Sequence, residues 1–567
     1  MPDQSGTGVP ERLARAADDV FGWSELRPGQ PAAMEAVMRG RDTLAVMPTG
    51  AGKSAVYQVP GLLLPGPTVV VSPLIALQRD QIAGLLGHAD APDAVAVNSA
   101  QAAGETEAAW DAVRHGDAEF LFLSPEQLAK DEVVERLARA APSLFVVDEA
   151  QCVAAWGHDF RPDYLRLAQA AQRLGRPTIL ALTATAAPPV REEIVERLGL
   201  ADPALVVAGF DRPNIALEVR RFLDDTDKRR VVVERAAAEP KPGLVYTATR
   251  RDAEAYAADL AELGLSAAAY HAGLTAGERS RAHDSFLAGE IDVVVATSAF
   301  GMGIDKEDVR FVLHASVPGS LDAYYQEIGR AGRDGGPAVA VLHYRSQDSG
   351  LQRMFATRAP DEDTLGLVAE RVHERDAPVG PEDIAKETGL TRRRVTAAVN
   401  LLEEAGTVRT GDDGRVGAVA GTTAEDAAAR AAEQARSRRR LEQSRLAMML
   451  GYAETTGCRR RFLLGYFGEA YDAPCGACDM CATPEPRSED RVVDGVGGTS
   501  EEPSSPGAAP YAAGTRVQHA EWGEGTVMSE EGDRVTVLFE SMGYRTLSLA
   551  AITGKGLLSA APPPATS

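Results

Sequence analysis

Between residue 42 and about residue 344, short β-branched apolar runs alternate with longer stretches whose apolar positions recur at helical spacing. The runs fall at 43–47, 68–72, 120–124, 144–148 and 178–183. A break follows around 211–242, and a second series continues at 243–247, 267–270, 293–297, 311–315 and 338–344. Strands alternating with helices predict βαβ units and parallel sheets, so the chain reads as α/β with two consecutive lobes, 10–208 and 209–350.

Past residue 360 the rhythm becomes helices separated by turns. Residues 360–421 read helix, helix, turn, helix and a two-strand wing, a winged-helix-like domain. Pro381-Glu382-Asp383-Ile384-Ala385 opens the first helix of a helix-turn-helix and Thr391 caps the second. Arg392, Arg393 and Arg394 then stand at the start of the recognition helix, where such motifs meet DNA. A protein-docking fold with a solvated basic turn fits the same residues equally well. A basic, Ala-rich helix from about 424 to 452 leads into a cysteine cluster, so 424–483 reads as a helical hairpin and metal module. The Ser-, Gly-, Pro- and acid-rich stretch 484–510 reads as a flexible linker, 511–557 as a small β-rich barrel of the SH3/Tudor kind, and 560–567 as a disordered tail.

A chain of 567 residues is long enough for three or four such domains. Its longest apolar runs are strand-sized, which predicts no membrane span, and the polar start carries no export signal, so the cytoplasm is the expected compartment. A formal net charge of -23 argues against a protein that coats polyanions passively; nucleic-acid binding has to be local. Of the five cysteines, Cys152 stands alone as an ordinary thiol. The other four, Cys458, Cys475, Cys478 and Cys481, make C-x16-C-x2-C-x2-C, suited to a closed tetrahedral structural Zn²⁺ site.

Candidate chemistry sits at strand ends. Thr49-Gly50-Ala51-Gly52-Lys53-Ser54 follows an apolar strand and precedes a helix, the context a phosphate-cradling loop needs, although Met47 occupies the first glycine position of the strict eight-residue pattern. Lys53 would neutralise phosphate oxygens and Ser54 would ligate Mg²⁺. The strand 144–147 delivers Asp148 and Glu149 to the carboxyl edge of the sheet, the first as metal holder and the second as the base that orients water. In Gln326-Glu327-Ile328-Gly329-Arg330-Ala331-Gly332-Arg333, two arginines three apart read as one helical face able to reach across a cleft to a transferring phosphoryl group.

These motifs and their order resemble superfamily 2 helicases of the RecQ type. Phe21-Gly22, Arg27-Pro28-Gly29-Gln30, the TGAGKS loop, Ser72-Pro73-Leu74-Ile75-Ala76-Leu77, the DEAQC strand end, Thr183-Ala184-Thr185-Ala186, Phe210-Asp211-Arg212-Pro213-Asn214, Tyr270-His271-Ala272-Gly273-Leu274 and residues 299–306 carry the match over 10–345 and again at the cysteines. The resemblance implies two tandem RecA-like lobes and an ATP-dependent DNA helicase of 3′-to-5′ polarity, acting on single-stranded and branched DNA in repair and recombination. It implies that Gln30 bonds the adenine, that Arg27 lies near the base, and that Thr49, Gly50, Gly52 and Gln326 line the ATP site. It also implies an aromatic-rich loop behind the carboxylates, with Trp156, His158, Phe160, Arg161 and Tyr164 on DNA and His271 nearby; aromatic rings stack on bases without reading them.

Two departures stand out. Gln151 replaces the histidine usual in DEAH, retaining hydrogen bonds but no charge, so altered coupling to DNA is expected. The winged helix expected after the zinc cluster is absent there, and the candidate for it, 360–421, lies before the cluster. The last module resembles the C-terminal barrel of UvrD and PcrA helicases, which implies RNA polymerase as a possible partner. An RNA helicase of the wider superfamily and a non-enzymatic DNA-binding adaptor are the competing functions; the aromatic loop and zinc module argue against the first, and the intact Lys53, Asp148, Glu149, Arg330 and Arg333 against the second.

Overall fold

The computed structural model describes residues 8–560 except 99–100, 155–161, 299, 301–305, 349, 351–360, 376, 412–413, 473, 483–510, 512–514, 532 and 540–541. Among the described residues the first lobe holds a seven-stranded sheet of β1 (Thr43–Val46), β2 (Thr68–Val71), β3 (Asp93–Val97), β4 (Ala118–Leu123), β5 (Leu144–Val147), β6 (Thr178–Thr183) and β7 (Ala204–Val207), in the order β3-β4-β2-β5-β6-β1-β7. All its pairings are parallel. The central strands β1, β2 and β5 are buried at every position, as expected for strands covered by helices on both faces.

The second lobe holds β8 (Ile215–Arg221), β9 (Gly243–Tyr246), β10 (Ala267–Tyr270), β11 (Val293–Ala296), β12 (Phe311–His314) and β13 (Ala338–Tyr344), again parallel, in the order β10-β11-β9-β12-β13-β8. Strands β3, β7 and β8 are additional to those read from the apolar runs. β3 and β8 are outermost in their sheets and β7 closes the other end of the first. Each is half exposed, and β8 lies inside the segment read as a break between the lobes.

The winged helix forms from helices Glu362–His373, Pro381–Thr388 and Arg392–Glu404 with the antiparallel wing β14 (Val408–Thr410) and β15 (Val416–Ala418). Thr391 caps the third helix by accepting from Arg394 N. The domain buries Leu365, Val368, Val395 and Leu402 against Ala427, Ala431 and Ala435 of the 31-residue helix Ala424–Glu454. It is tied to the first lobe where Arg166 meets Glu403 at 2.8 Å.

The cysteine segment completes the second lobe's edge: Leu217 N donates to Ala477 O at 3.1 Å and Val219 N to Asp479 Oδ2 at 3.2 Å, covering the otherwise unpaired side of β8. The last module is a five-stranded antiparallel sheet of β16 (Arg516–His519), β17 (Gly523–Glu531), β18 (Arg534–Phe539), β19 (Gly543–Ser548) and β20 (Leu558–Ala560), ordered β19-β18-β17-β16-β20. Among the described residues no pairing joins β19 to β20, and β20 carries the module past residue 557 to Ala560.

Candidate nucleotide site and nucleic-acid interface

The phosphate loop leaves the buried β1 and turns into the helix Ala55–Gly61 through Gly50 and Gly52, at φ 84° and 72°, angles that favour glycine. Gln30 and Arg27 brace this loop. Gln30 Nε2 donates to Ala51 O (3.0 Å) and Gly52 O (2.9 Å), its Oε1 accepts from Arg27 N (2.8 Å), and the Arg27 guanidinium bonds Gly50 O. Both amide hydrogens of Gln30 are thus committed to the loop, and reading an adenine edge requires their release.

Asp148 extends β5 by one more ladder bond, Asp148 N to Val71 O at 2.9 Å. Its Oδ1 accepts from Glu149 N (2.9 Å) and its Oδ2 from Gln81 Nε2 (3.3 Å). Burial and the adjacent Glu149 push Asp148 above the ordinary carboxylate range, with Lys53 opposing. Lys53 is in turn lowered by burial while Glu149 and Asp148 raise it. Glu149 sits at φ 49°, ψ 48°, a left-handed conformation costly for a residue with a side chain and characteristic of functional strain. Gln151, 1% exposed, links this carboxylate to β6: its Nε2 donates to Glu149 Oε2 at 2.7 Å, and Thr183 Oγ1 donates to its Oε1 at 2.6 Å.

From the second lobe, the helix Leu321–Ile328 points its carboxyl end at the phosphate loop, with Gln326 half-buried on it. Arg330 and Arg333 lie in the glycine-broken turns beyond Ile328, so they do not share a helical face as the spacing suggested. They nevertheless converge on the loop. Both act electrostatically on Lys53, and a Cβ at Gly50 would stand 3.2 Å from Arg333 Cγ. Arg212, in the motif Phe210-Asp211-Arg212-Pro213-Asn214, had no role assigned from its position in the chain. Its Nη1 donates to Thr49 O (3.1 Å) and Gly329 O (3.2 Å), and its Nη2 to Ala331 O (2.9 Å) and Gly332 O (3.0 Å), so one guanidinium staples the phosphate loop to the arginine turns.

On the nucleic-acid side, Trp156, His158, Phe160 and Arg161 lie outside the described residues. Two expected DNA contacts are corrected. Tyr164 is 0% exposed and donates to Asp148 O at 3.2 Å, so its ring is core packing beneath the carboxylates. His271 is 3% exposed with Nε2 3.1 Å from Glu254 Oε1, so its side chain is not presented to a strand. Arg392 and Arg393 are exposed, Arg392 in an ion pair with the equally exposed Glu382 that solvent weakens, whereas Arg394 turns back to Asp361 and Thr364.

The Sγ atoms of Cys458, Cys475, Cys478 and Cys481 lie within 4.8 Å of one another, and Cys475 and Cys481 are 3.9 Å apart. Tetrahedral Zn–S bonds of about 2.3 Å place sulfurs about 3.8 Å apart, so the donor set fits structural Zn²⁺. The adjoining arginines are buried struts: Arg459 pairs with Asp479 at 2.6 Å, and Arg460 with Asp211 at 2.7 Å and with Ile215 O at 2.7 Å.

Two parallel-sheet lobes that close a phosphate loop, a carboxylate pair and two arginines into one cleft define a superfamily 2 helicase core. Residues 27–194 match the DEAD/DEAH box helicase family, 227–335 the helicase conserved C-terminal domain, 422–482 the RecQ zinc-binding family and 512–554 a family described as protein of unknown function (DUF3553). The probable ATP-dependent DNA helicase RecS of Bacillus subtilis (strain 168) is 34% identical over 476 residues, 83% of this chain and 91% of that one. The ATP-dependent DNA helicase RecQ of Pasteurella multocida (strain Pm70) is 33% identical over 476 residues, 84% of this chain but 63% of that one, so the chain spans slightly less than two thirds of that RecQ. A solved structure of the DUF1998 helicase MrfA bound to DNA and AMPPNP shares the fold, with a TM-score of 0.51, 18% identity and coverage of 74% of this chain and 63% of that one. The chain belongs to the RecQ/RecS family of ATP-dependent DNA helicases.

Proposed function

We propose that the chain hydrolyses ATP to move 3′ to 5′ along single-stranded DNA and so opens duplex and branched DNA in repair and recombination. The observation that carries this reading is the convergence of Lys53, Asp148, Glu149, Arg330 and Arg333 across one interlobe cleft, in a chain whose curated relatives are DNA helicases. Ser54 and Asp148 offer hard oxygen donors for Mg²⁺, which when bound would neutralise charge on the phosphates. Glu149, held by Gln151, orients the attacking water and accepts its proton; Lys53 binds the terminal phosphate oxygens, and Arg330 and Arg333 stabilise the charge that develops on the transferring group. The cleft sits between the lobes, so closing it couples hydrolysis to lobe movement along a strand.

Lys53→Ala tests the assignment: ATP turnover should be abolished with DNA binding largely retained, and normal hydrolysis would show the site to be misassigned. Stimulation of turnover by single-stranded DNA over RNA supports the DNA reading against an RNA helicase. None of the described helices is long and apolar enough to cross a membrane. The RNA polymerase partner rests on the resemblance of the last module alone; equal recovery of polymerase with and without residues 511–557 would remove it.

A further inference from the structure

The C-terminal module does not stand apart from the motor. Met528, Leu538 and Tyr544 pack in the same apolar cluster as the helicase lobes, while Val517, Val527, Val535, Val537 and Phe539 form the module's own core. Toward the first lobe the fit is loose: a cleft of about 440 Å³ separates Glu192, Glu196 and Arg197 from Arg516, Glu524 and Thr526. Toward the zinc module it is tight. A Cβ at Gly543 would stand 2.3 Å from Ser444 Oγ and 2.7 Å from Ser444 Cβ, so only glycine admits this approach to the helix Ala424–Glu454.

That approach seats the next residue, Tyr544, on Tyr466 of the helix Arg459–Tyr466, with ring centroids 5.3 Å apart and planes inclined by 32°. Tyr466 in turn donates its hydroxyl to Asp322 Oδ2 at 2.5 Å. Asp322 belongs to the first turn of Leu321–Ile328, the helix that delivers Arg330 and Arg333 to the phosphate loop. The rest of that helix is held in the same manner: Tyr324 OH lies 3.2 Å from Tyr452 OH, and Tyr325 OH donates to Phe210 O at 2.7 Å. Tyr466, Tyr544 and Asp322 are all buried, so the contact is shielded from solvent and each group's position depends on the others.

We infer that Tyr544 of the C-terminal module is a positioning residue for ATP hydrolysis, acting through Tyr466 and Asp322 to fix the helix that carries Arg330 and Arg333. The inference rests on the arginine assignment above. Misplacing a group that acts only in the transition state lowers kcat and spares substrate binding, and small displacements cost large factors.

The test is steady-state ATPase of the full chain with saturating single-stranded DNA. Tyr466→Phe and Tyr544→Ala should each lower kcat roughly three- to tenfold with KM for ATP within about twofold, and the double variant should be no slower than the slower single. Tyr544→Phe, which keeps the ring and the fold, should restore most of kcat, and Thr546→Ala, at an exposed position two residues further along the same strand, should leave kcat unchanged. Unaltered kcat in Tyr544→Ala, multiplying rather than shared losses in the double variant, or failure of Tyr544→Phe to restore kcat in a chain with native thermal unfolding would overturn the proposal. Arg330→Ala and Arg333→Ala separate the two readings: if these hydrolyse ATP normally the arginine assignment itself fails, whereas if they are inactive and Tyr544→Ala is normal, only the positioning role does.

Discussion

Gln151→Ala is the most informative single substitution in the nucleotide site. The side chain makes two bonds, to Glu149 Oε2 at 2.7 Å and from Thr183 Oγ1 at 2.6 Å, and their losses are unequal. Thr183 Oγ1 also lies 3.0 Å from Thr185 O and keeps that acceptor. Glu149 loses a buried hydrogen-bond donor, and a bond to a carboxylate is worth about 1.5–3 kcal/mol. If the orientation of Glu149 matters only while water attacks, about 2 kcal/mol corresponds to a fall of roughly 30-fold in kcat. The assay is ATP turnover across a titration of ATP, with and without single-stranded DNA, and KM should stay within about threefold. A kcat within about twofold of the unaltered chain would refute the idea that Gln151 holds the catalytic carboxylate. Gln151→His extends the test. A neutral imidazole can repeat both bonds, but a protonated one has two donors and no acceptor for Thr183, so DNA stimulation in this variant should vary between about pH 6 and 8 where the natural chain's does not. Identical stimulation and pH profiles would show that the residue does not take part in DNA coupling.

Other consequences follow from the same geometry. Arg212→Lys should lower kcat by about tenfold or more, because one ammonium cannot span the four carbonyls of Thr49, Gly329, Ala331 and Gly332; steady-state turnover checks this, and an active lysine variant would dismiss the staple. Cys478→Ser should reduce bound zinc below one equivalent by metal analysis and lower the unfolding temperature, since the cysteine segment also covers β8; full metal occupancy would contradict the ligand set. Glu119, half-buried on β4, is pushed up to about 7 by burial. Its acid is un-ionised in both states below about pH 4.5, is lost from the unfolded chain first as pH rises, and so costs stability between about pH 4.5 and 7, with the full cost present above that. Glu119→Gln should therefore stabilise the fold at pH 8 by about 1 kcal/mol after allowing for solvent screening, and not at pH 4, as read from thermal unfolding at the two pH values.

What could be read from the sequence was chemistry confined to short contiguous stretches. The TGAGKS loop, the two carboxylates after a buried strand, the arginine turns and the cysteine spacing each carry their constraint locally, and the central strands announce themselves by continuous apolar runs. Edge strands do not: β8, with its alternating Ile215, Leu217 and Val219 buried, carries a period-two signal that a search for solid apolar runs passes over. Residue type misled where burial is decided by tertiary packing, as with Tyr164 and His271, polar-tipped rings in nucleic-acid motifs whose side chains the fold turns inward. Arg212 was visible as a motif letter, but its bond to Thr49 spans 163 positions and exists only once two lobes meet. The path from Tyr544 through Tyr466 to Asp322 joins three domains, and no local spacing encodes it.

The activity proposed for this cleft is directional strand separation. Strand displacement on matched duplexes bearing either a 3′ or a 5′ single-stranded overhang, with ATP and Mg²⁺, tests it most directly. The expected outcome is unwinding of the 3′-overhang duplex alone, abolished in Lys53→Ala. Displacement of neither duplex by a chain that hydrolyses ATP, or unwinding from the 5′ overhang, would contradict it.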